Sequence, residues 1–338
     1  MTDAAELFSL IDDIVAPHAE EQPPGVIPGV WPTLVRLGLA DVGIPEAAGG
    51  SGGTFSDAAV LTQALAGHGI SAPLIEANVA NWVLAQAGQS PGGLSTITVT
   101  AAAVAAAGGR LLASLHGVPW GRAASTLVVV HEDGRGWAVE LDQRTVTIEY
   151  KANVAGEPRD TVHLNWTQAC ALPLVTGPVL VRARLGALWS AAICGAASRA
   201  CEMTRSYVRE REQFGQPLVQ IPTVASSLAI MRVHTLQSRT ALARAVECWQ
   251  APAPAPARCA NAAAVARITA AAAATEVARL AHQLHGAIGI TREYPLHCLT
   301  RRLWAWRDAE TAEHEWALTL GAAAIAGGEP ALWDEISA

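Results

Sequence analysis

The sequence predicts an α+β fold in which helices open the chain, strands fill its middle and helices close it. Three observations carry this. Apolar residues recur every three or four positions up to about residue 88, and again from about Val179. Between about 93 and 176 the period falls to two, in runs rich in Thr, Val and Ile. Gly, Asp and Pro punctuate these runs, and segregated runs of helix, strand and helix imply a separate middle sheet. The divisions fall at 1–90 for an N-terminal helical domain, 91–177 for a middle β domain and 178–338 for a C-terminal four-helix bundle.

Taken in order, Leu7, Leu10, Ile11 and Ile14 stand at helical spacing, and Pro23-Pro24-Gly25 breaks the pattern. Trp31, Leu34, Leu37 and Leu39 resume it. The run from Ile44 to Gly50 is a loop with no room for regular structure, after which Ala58, Leu61, Leu65 and Ala66 fit one helical face between Asp57 and His68. Strands are expected at Ser95–Thr100, Thr126–Val130, Trp137–Leu141, Thr145–Tyr150 and Thr161–Leu164. Beyond them Leu185, Trp189, Ile193, Ala197 and Cys201 step by four along one face, and Val265, Ile268, Ala272, Val277, Leu280 and Leu284 nearly so. The alternating Ala and Pro from Ala251 to Pro256 forbid helix and predict an extended connector. A further helix begins near Pro295, and the last begins near Asp308 and fades by Gly327.

Composition excludes several functions. The chain has 338 residues, of which 51% are hydrophobic and 16% charged, a balance that places much of its surface between subunits. Its net charge of −7 and the lack of a basic block argue against nucleic acid or an anionic membrane as partner. Arg267, Glu276 and Arg279 interrupt the apolar run that starts at Ala262 before it could span a bilayer. Met1 to Glu20 is acidic and lacks the pattern of a signal peptide, so a cytoplasmic location is expected. The six cysteines form no C-x-x-C pair and read as small buried hydrophobes. His282-x-x-His285 has no third ligand at zinc-like spacing, so no metal is expected. Lys151 is the only lysine and follows no glycine-rich loop, which excludes a P-loop or Schiff-base enzyme.

Two stretches carry chemistry. In Arg209-Glu210-Arg211-Glu212-Gln213-Phe214-Gly215 a helical run ends in a cation and then a glycine, which presents charge to an anion. In Gln283-Leu284-His285-Gly286-Ala287-Ile288-Gly289 a small-residue helix ends in glycines, so the backbone can lie close to a flat or phosphorylated group. Together with Arg292-Glu293-Tyr294-Pro295, in this order and at this separation, they resemble the C-terminal helical domain of the acyl-CoA dehydrogenases. The order Trp31, Gly38-Leu39, Ile44-Pro45-Glu46, Gly49-Gly50-x-Gly52 resembles the N-terminal domain of the same family.

That resemblance implies FAD as cofactor, an acyl-CoA as substrate and an electron-transfer flavoprotein as acceptor. It carries the contacts to the ADP half of FAD, made across a subunit boundary, onto Arg211, Gln213, Phe214, Gln283, Gly286 and Ala287. A guanidinium matches a pyrophosphate in bidentate fashion, which supports the transfer physically. Ala287 stands where the family has a second glycine. The alternative for Arg211 is an ion pair with a nearby carboxylate at the helix end.

The middle domain departs from the family. Its flavin-opening motif, Thr-Glu-Pro followed by Gly-Ser-Asp, is missing, as is the Trp-(Ile/Val)-(Ser/Thr) segment that lies over the flavin ring. Ala101 to Gly109 and Val118 to Arg122 stand in their region, so the flavin cradle is degenerate. The base that takes the substrate α-proton is a Glu in the family, and gapless counting from Tyr294-Pro295 brings Glu310 there. A one-residue shift aligns Thr311-Ala312-Glu313 instead and puts Ala309 at the base. Asp308, Glu310, Glu313 and Glu315 also read as an acidic first helical turn.

The reading that joins these observations is one subunit of a heteromeric acyl-CoA dehydrogenase (α₂β₂), similar to the smaller subunits of actinobacterial enzymes acting on steroid side-chain CoA thioesters. By that resemblance a homologous partner supplies the flavin-ring contacts, the base and much of the acyl pocket. A stand-alone homotetramer with Glu310 as base and a non-catalytic scaffold of the same fold remain as alternatives.

Overall fold

A computed structural model of the chain describes residues 4–18, 27–90, 93–251, 254–309 and 311–337, with side chains described as far as residue 330. At the N-terminus, α1 (Ala4–Val15) buries Leu7, Ile11 and Val15, while Leu10 faces outward. The first two thus keep the face expected of them. α2 (Trp31–Arg36) buries Trp31 and Leu34, and Leu37 is exposed in the turn that follows. The stretch expected to lack regular structure contains a single 3-10 turn, Glu46–Ala48, closed by Ala48 N–H donating to the Pro45 carbonyl at 2.9 Å. α3 (Phe55–Gly67) starts at a capping box in which Asp57 N–H donates to Thr54 Oγ1 and Thr54 N–H to Asp57 Oδ2. α4 (Leu74–Gln86) completes the region.

The middle of the chain folds into β1 (Ser95–Thr100), β2 (Ala105–Ala107), β3 (Arg110–Pro119), β4 (Thr126–His131), β5 (Gly136–Glu140), β6 (Val146–Glu149), β7 (Arg159–Gln168) and β8 (Cys170–Leu172). They form two four-stranded sheets, β1-β4-β5-β8 and β2-β3-β7-β6, with β1 parallel to β4 and the other pairs antiparallel. Leu111, Ala113, Leu115, Val162 and Leu164 of the second sheet meet Leu127, Val129, Trp137 and Val139 of the first, as in a sandwich. The first sheet's other face, with Ile97, Val128 and Val130, joins the helical core. β2, β3 and β8 lie outside the strands expected from sequence, although Arg110–Pro119 alternates exposed and buried residues along most of its length. On the outer face Ser114 Oγ lies 2.9 Å from His163 Nδ1, and His163 Nε2 3.1 Å from Glu149 Oε1. This is a solvent-facing cross-strand ladder of the kind that pairs neighbouring strands.

α5 (Gly177–Glu210) is the axis of the remaining fold. Leu185, Trp189, Ile193 and Ala197 are buried on the expected face, whereas Cys201 is only half-buried. The helix is long and apolar enough to cross a membrane, yet 83% of its most apolar window is buried by the rest of the chain, which marks a core helix. At Gly195 a side chain would collide with the Gln63 carbonyl, so glycine is what lets α3 and α5 touch backbone to backbone. Arg184, also on α5, is buried among the rings of Phe55, Trp82 and Trp249 at 4.5, 4.8 and 5.5 Å. Burial pushes its pKa down to about 9, and Asn78 Oδ1 accepts from it at 3.2 Å.

After α5 come β9 (Glu212–Gln213), β10 (Gln216–Pro217), α6 (Pro222–Glu247), α7 (Pro256–His285), α8 (Leu296–Arg307) and α9 (Glu313–Ser337). α7 corrects the sequence reading. Val265 is exposed and Ile268 and Ala272 half-buried, while Ala263, Ala266, Ala270, Ala273 and Ala274 form the buried face with Val277 and Leu280. Of the larger apolar residues of its first half, Val265 faces outward and Ile268 packs at the edge of a core cluster with Leu180 and Trp316, and alanines line the approach to α5. α9 starts at Glu313 rather than near Asp308 and continues past a kink at Gly328 (φ 70°, ψ 179°). All six cysteines are free: Cys194, Cys248 and Cys259 are buried as expected, but Cys170, on β8, is exposed.

Candidate functional site

The two sequence motifs come together at the ends of α5 and α7. α5 closes with Arg211 N–H donating to the Tyr207 carbonyl at 2.8 Å, and the chain then turns through the β9–β10 hairpin. Its two-residue loop, Phe214-Gly215, has φ of 55° and 79°, the pair of positive angles that defines the tight turn favoured between twisted strands. Glycine takes this conformation freely; for phenylalanine it costs about 1–2 kcal/mol. The ring so held is 88% exposed. Strain combined with an exposed aromatic surface is an arrangement found at ligand contacts. Arg211 and Gln213 are exposed beside it, and among the described residues Arg211 pairs with no carboxylate.

α7 ends at His285, and Gly286 has φ 64° and ψ −143°, a backbone region that only glycine occupies readily. No heavy atom lies within 4 Å of where a β-carbon would stand there, so the backbone faces open space. Gly286 opens a 3-10 turn to Ile290, on which Ala287 is exposed. Gln283 is exposed one turn earlier, and its Oε1 accepts from Arg279 Nη1 at 3.4 Å. Arg279 is engaged with Glu276 at 2.7 Å, an ion pair that raises its pKa. Tyr207 Oη donates to the His285 carbonyl at 3.3 Å, so the helix end that carries Arg211 is fastened to the one that carries Gly286.

Glu310 lies outside the described residues. The chain just before it is held by Arg267, buried on α7, which donates to the carbonyls of Trp306, Arg307 and Ala309 at 3.2, 2.9 and 3.3 Å. These carbonyls are at the end of α8, where a cation is favourable. Asp308 is engaged by Arg307 at 2.8 Å.

A second polar feature escaped the sequence reading. A cleft where the N-terminal helices, the sheets and the bundle meet is lined by Glu76, Glu157, Arg159, Trp120, Trp189 and Trp306. Glu157 is well satisfied: Ser71 Oγ donates to it at 2.5 Å, Trp306 Nε1 at 2.8 Å and Asn153 Nδ2 at 2.7 Å. Glu76 is not. It is 2% exposed, neither carboxylate oxygen has a hydrogen-bond partner among the described residues, and Arg159 Nη2 stands off at 3.6 Å. Desolvation therefore raises its pKa to about 7, against the opposing pull of Arg159. These residues come from five separate stretches of the chain, so no local signal points to them.

Comparison with known proteins places this architecture. Residues 5–91 match the acyl-CoA dehydrogenase N-terminal domain and 179–313 the acyl-CoA dehydrogenase C-terminal domain, together about two thirds of the chain. The chain belongs to the acyl-CoA dehydrogenase family. It is 28% identical over 277 residues to acyl-CoA dehydrogenase IpdE2 of Mycobacterium tuberculosis, covering 81% of this chain and 79% of that one. The fold is similar to that of the Tcur3481-Tcur3483 steroid ACAD (TM-score 0.84, 25% identity, 94% and 96% of the two chains). It is likewise similar to a chain of the ChsE4-ChsE5 complex from Mycobacterium tuberculosis (TM-score 0.81, 20% identity, 95% and 96%). Family membership makes the protein one of a class of oxidoreductases.

The residues at the α5 and α7 ends fit the ADP half of a flavin nucleotide. A guanidinium with no carboxylate partner among the described residues, a glycine turn open to close approach, a side-chain amide and a flat exposed ring are what a pyrophosphate joined to an aromatic base requires. At the sheets, of the two stretches that stand in place of the missing motifs, Ala101 to Gly109 is a loop and the short edge strand β2, whose three alanines offer only backbone groups and methyls, and Val118 to Arg122 leads out of β3 to a guanidinium that is taken by Asp160 at 2.5 Å.

Proposed function

We propose that this chain is one subunit of a heteromeric FAD-dependent acyl-CoA dehydrogenase, which introduces an α,β double bond into an acyl-CoA. The observation that carries the reading is the outward presentation of Arg211, Gln213, Phe214, Gln283, Gly286 and Ala287, all exposed at one end of the helices. A cofactor held there projects beyond the chain, and a homologous partner then receives the flavin ring. FAD, when bound, accepts the hydride that leaves the substrate β-carbon. This chain's part is to bind and orient: Arg211 faces the pyrophosphate, Gly286 allows backbone approach and Phe214 covers a flat ring face. An electron-transfer flavoprotein is the acceptor expected for the family.

The junction cleft supports placing the acyl group on the partner. Its walls hold three buried indoles and a carboxylate–guanidinium cluster, with Arg159 stacked 5.6 Å over Trp189, and an acyl chain entering there would have to displace charge. A steroid side-chain CoA thioester is the proposed substrate, supported by the likeness to the steroid ACAD. The test is Arg211→Ala in the complex purified with its partner. Loss of one charge-assisted pair should weaken FAD by roughly ten- to a hundredfold, read as flavin retained after gel filtration. Unchanged retention would contradict the assignment.

A further inference from the structure

We infer that His285 is a positioning residue, a buried pin that fixes the spacing between the Arg211 hairpin and the Gly286 turn so that both reach one ligand. The inference rests on the cofactor reading above and adds to it a residue that touches no cofactor atom.

The need for a pin comes from how α5 and α7 meet. Along most of their length the contact is alanine on small or apolar residues, Ala266, Ala270 and Ala274 against the buried face of α5. Such a smooth surface holds two helices close but sets their axial register only weakly, because register comes from interlocking side chains. At the ends the contact changes character. The His285 ring, 4% exposed, stacks on Tyr207 with ring centres 4.4 Å apart and planes inclined by 22°. On Tyr294 it rests at 4.8 Å and 48°. Tyr207 lies one turn before Arg211 and accepts its N–H; Tyr294 follows the Gly286–Ile290 turn. The imidazole therefore contacts the segment that leads into one loop and the segment that leaves the other.

The ring is itself held. Nδ1 lies 2.8 Å from the Ala281 carbonyl, which makes it the N–H of the neutral ring and fixes its tilt on α7. Gly289 packs against the other side, where a β-carbon would come within 2.8 Å of His285 Cβ. Nε2 is buried and has no partner among the described residues. Burial lowers the pKa, so at neutral pH the ring is uncharged and acts through position rather than attraction for an anion.

The unpartnered Nε2 makes the inference testable. A phenyl ring reproduces the stacking and forfeits only the Nδ1 bond, so His285→Phe should keep most of the function, whereas His285→Ala removes the pin. FAD affinity is measured in the complex purified through a tag on this chain, as wild type, H285A, H285F and R211A, each with its kcat at saturating FAD. The expected result is about a tenfold weakening in H285A, or roughly 1.4 kcal/mol. H285F should stay within about threefold of wild type, and kcat should be unaltered in both. Wild-type FAD affinity in H285A beside weakened binding in R211A overturns the pin alone. Unweakened binding in R211A as well overturns the cofactor reading with it. A fall in kcat of FAD-saturated H285A, with no recovery in H285F, would show a general structural role and also overturn the pin.

Discussion

The end of the helical bundle and the junction with the sheets handle polar groups in opposite ways. At the bundle end Arg211 stands exposed with no carboxylate partner among the described residues, beside a strained and exposed phenylalanine and a glycine turn over open space. At the junction Glu157 and Glu76 are buried and Arg159 is half-buried, beside indoles. In the first place stability is given up for a surface directed at something outside the chain. In the second, polar groups are enclosed and largely answered from within, and Glu76, which has no hydrogen-bond partner among the described residues, is tolerated because it can hold a proton. Perturbed ionisation alone would have pointed to the junction as the working site. Exposure and strain point to the bundle end, where the two motifs that resemble the family's lie.

The larger test of this contrast is at Glu76. Its folded pKa of about 7 lies above the ordinary 4.5, so the native state keeps a proton that the unfolded chain releases. Its favourable contribution is thus fully present below about pH 4.5 and is lost as pH rises to about 7. Glu76→Gln removes this slope. Relative to wild type, E76Q should gain on the order of 3 kcal/mol at pH 8 compared with pH 4.5, measured by denaturant unfolding across that range. A constant difference between the two proteins would show that Glu76 is ionised in the native state and that the junction is not self-contained.

A smaller effect of opposite meaning is expected at Phe214. Phe214→Gly relieves the left-handed strain and should stabilise the free chain by about 1 kcal/mol, seen as a higher midpoint in thermal unfolding. The same variant should lose FAD from the complex, since the exposed ring is gone. Gain of stability with loss of cofactor is the signature of strain kept for binding. If F214G were destabilised, the ring would be serving the fold instead.

How far the sequence could be read follows the range of the interactions. The α+β order and the family's two motifs were legible because each depends on local periodicity or on residues close together in the chain, whereas the single middle sheet expected from sequence is in fact two four-stranded sheets, whose division depends on long-range pairing. β3 lies outside the strands expected from sequence although Leu111, Ala113 and Leu115 alternate inward. The buried face of α7 was misassigned because hydrophobicity was taken as the guide, whereas closeness of approach to α5 selects alanine. The stacking of His285 on Tyr207 depends on a contact across about 80 residues of chain, as does the bond from Ser71 to Glu157 beside Glu76, and no local pattern encodes them.

The central claim is that this chain holds one half of a flavin site and a partner holds the other. The measurement that tests it most directly is the FAD content per polypeptide of the chain purified alone and of its complex with the homologous subunit, together with acyl-CoA oxidation by each. The account predicts negligible FAD and no turnover for the chain alone, with flavin and activity appearing in the complex. One tightly bound FAD per chain and acyl-CoA oxidation without a partner would contradict it.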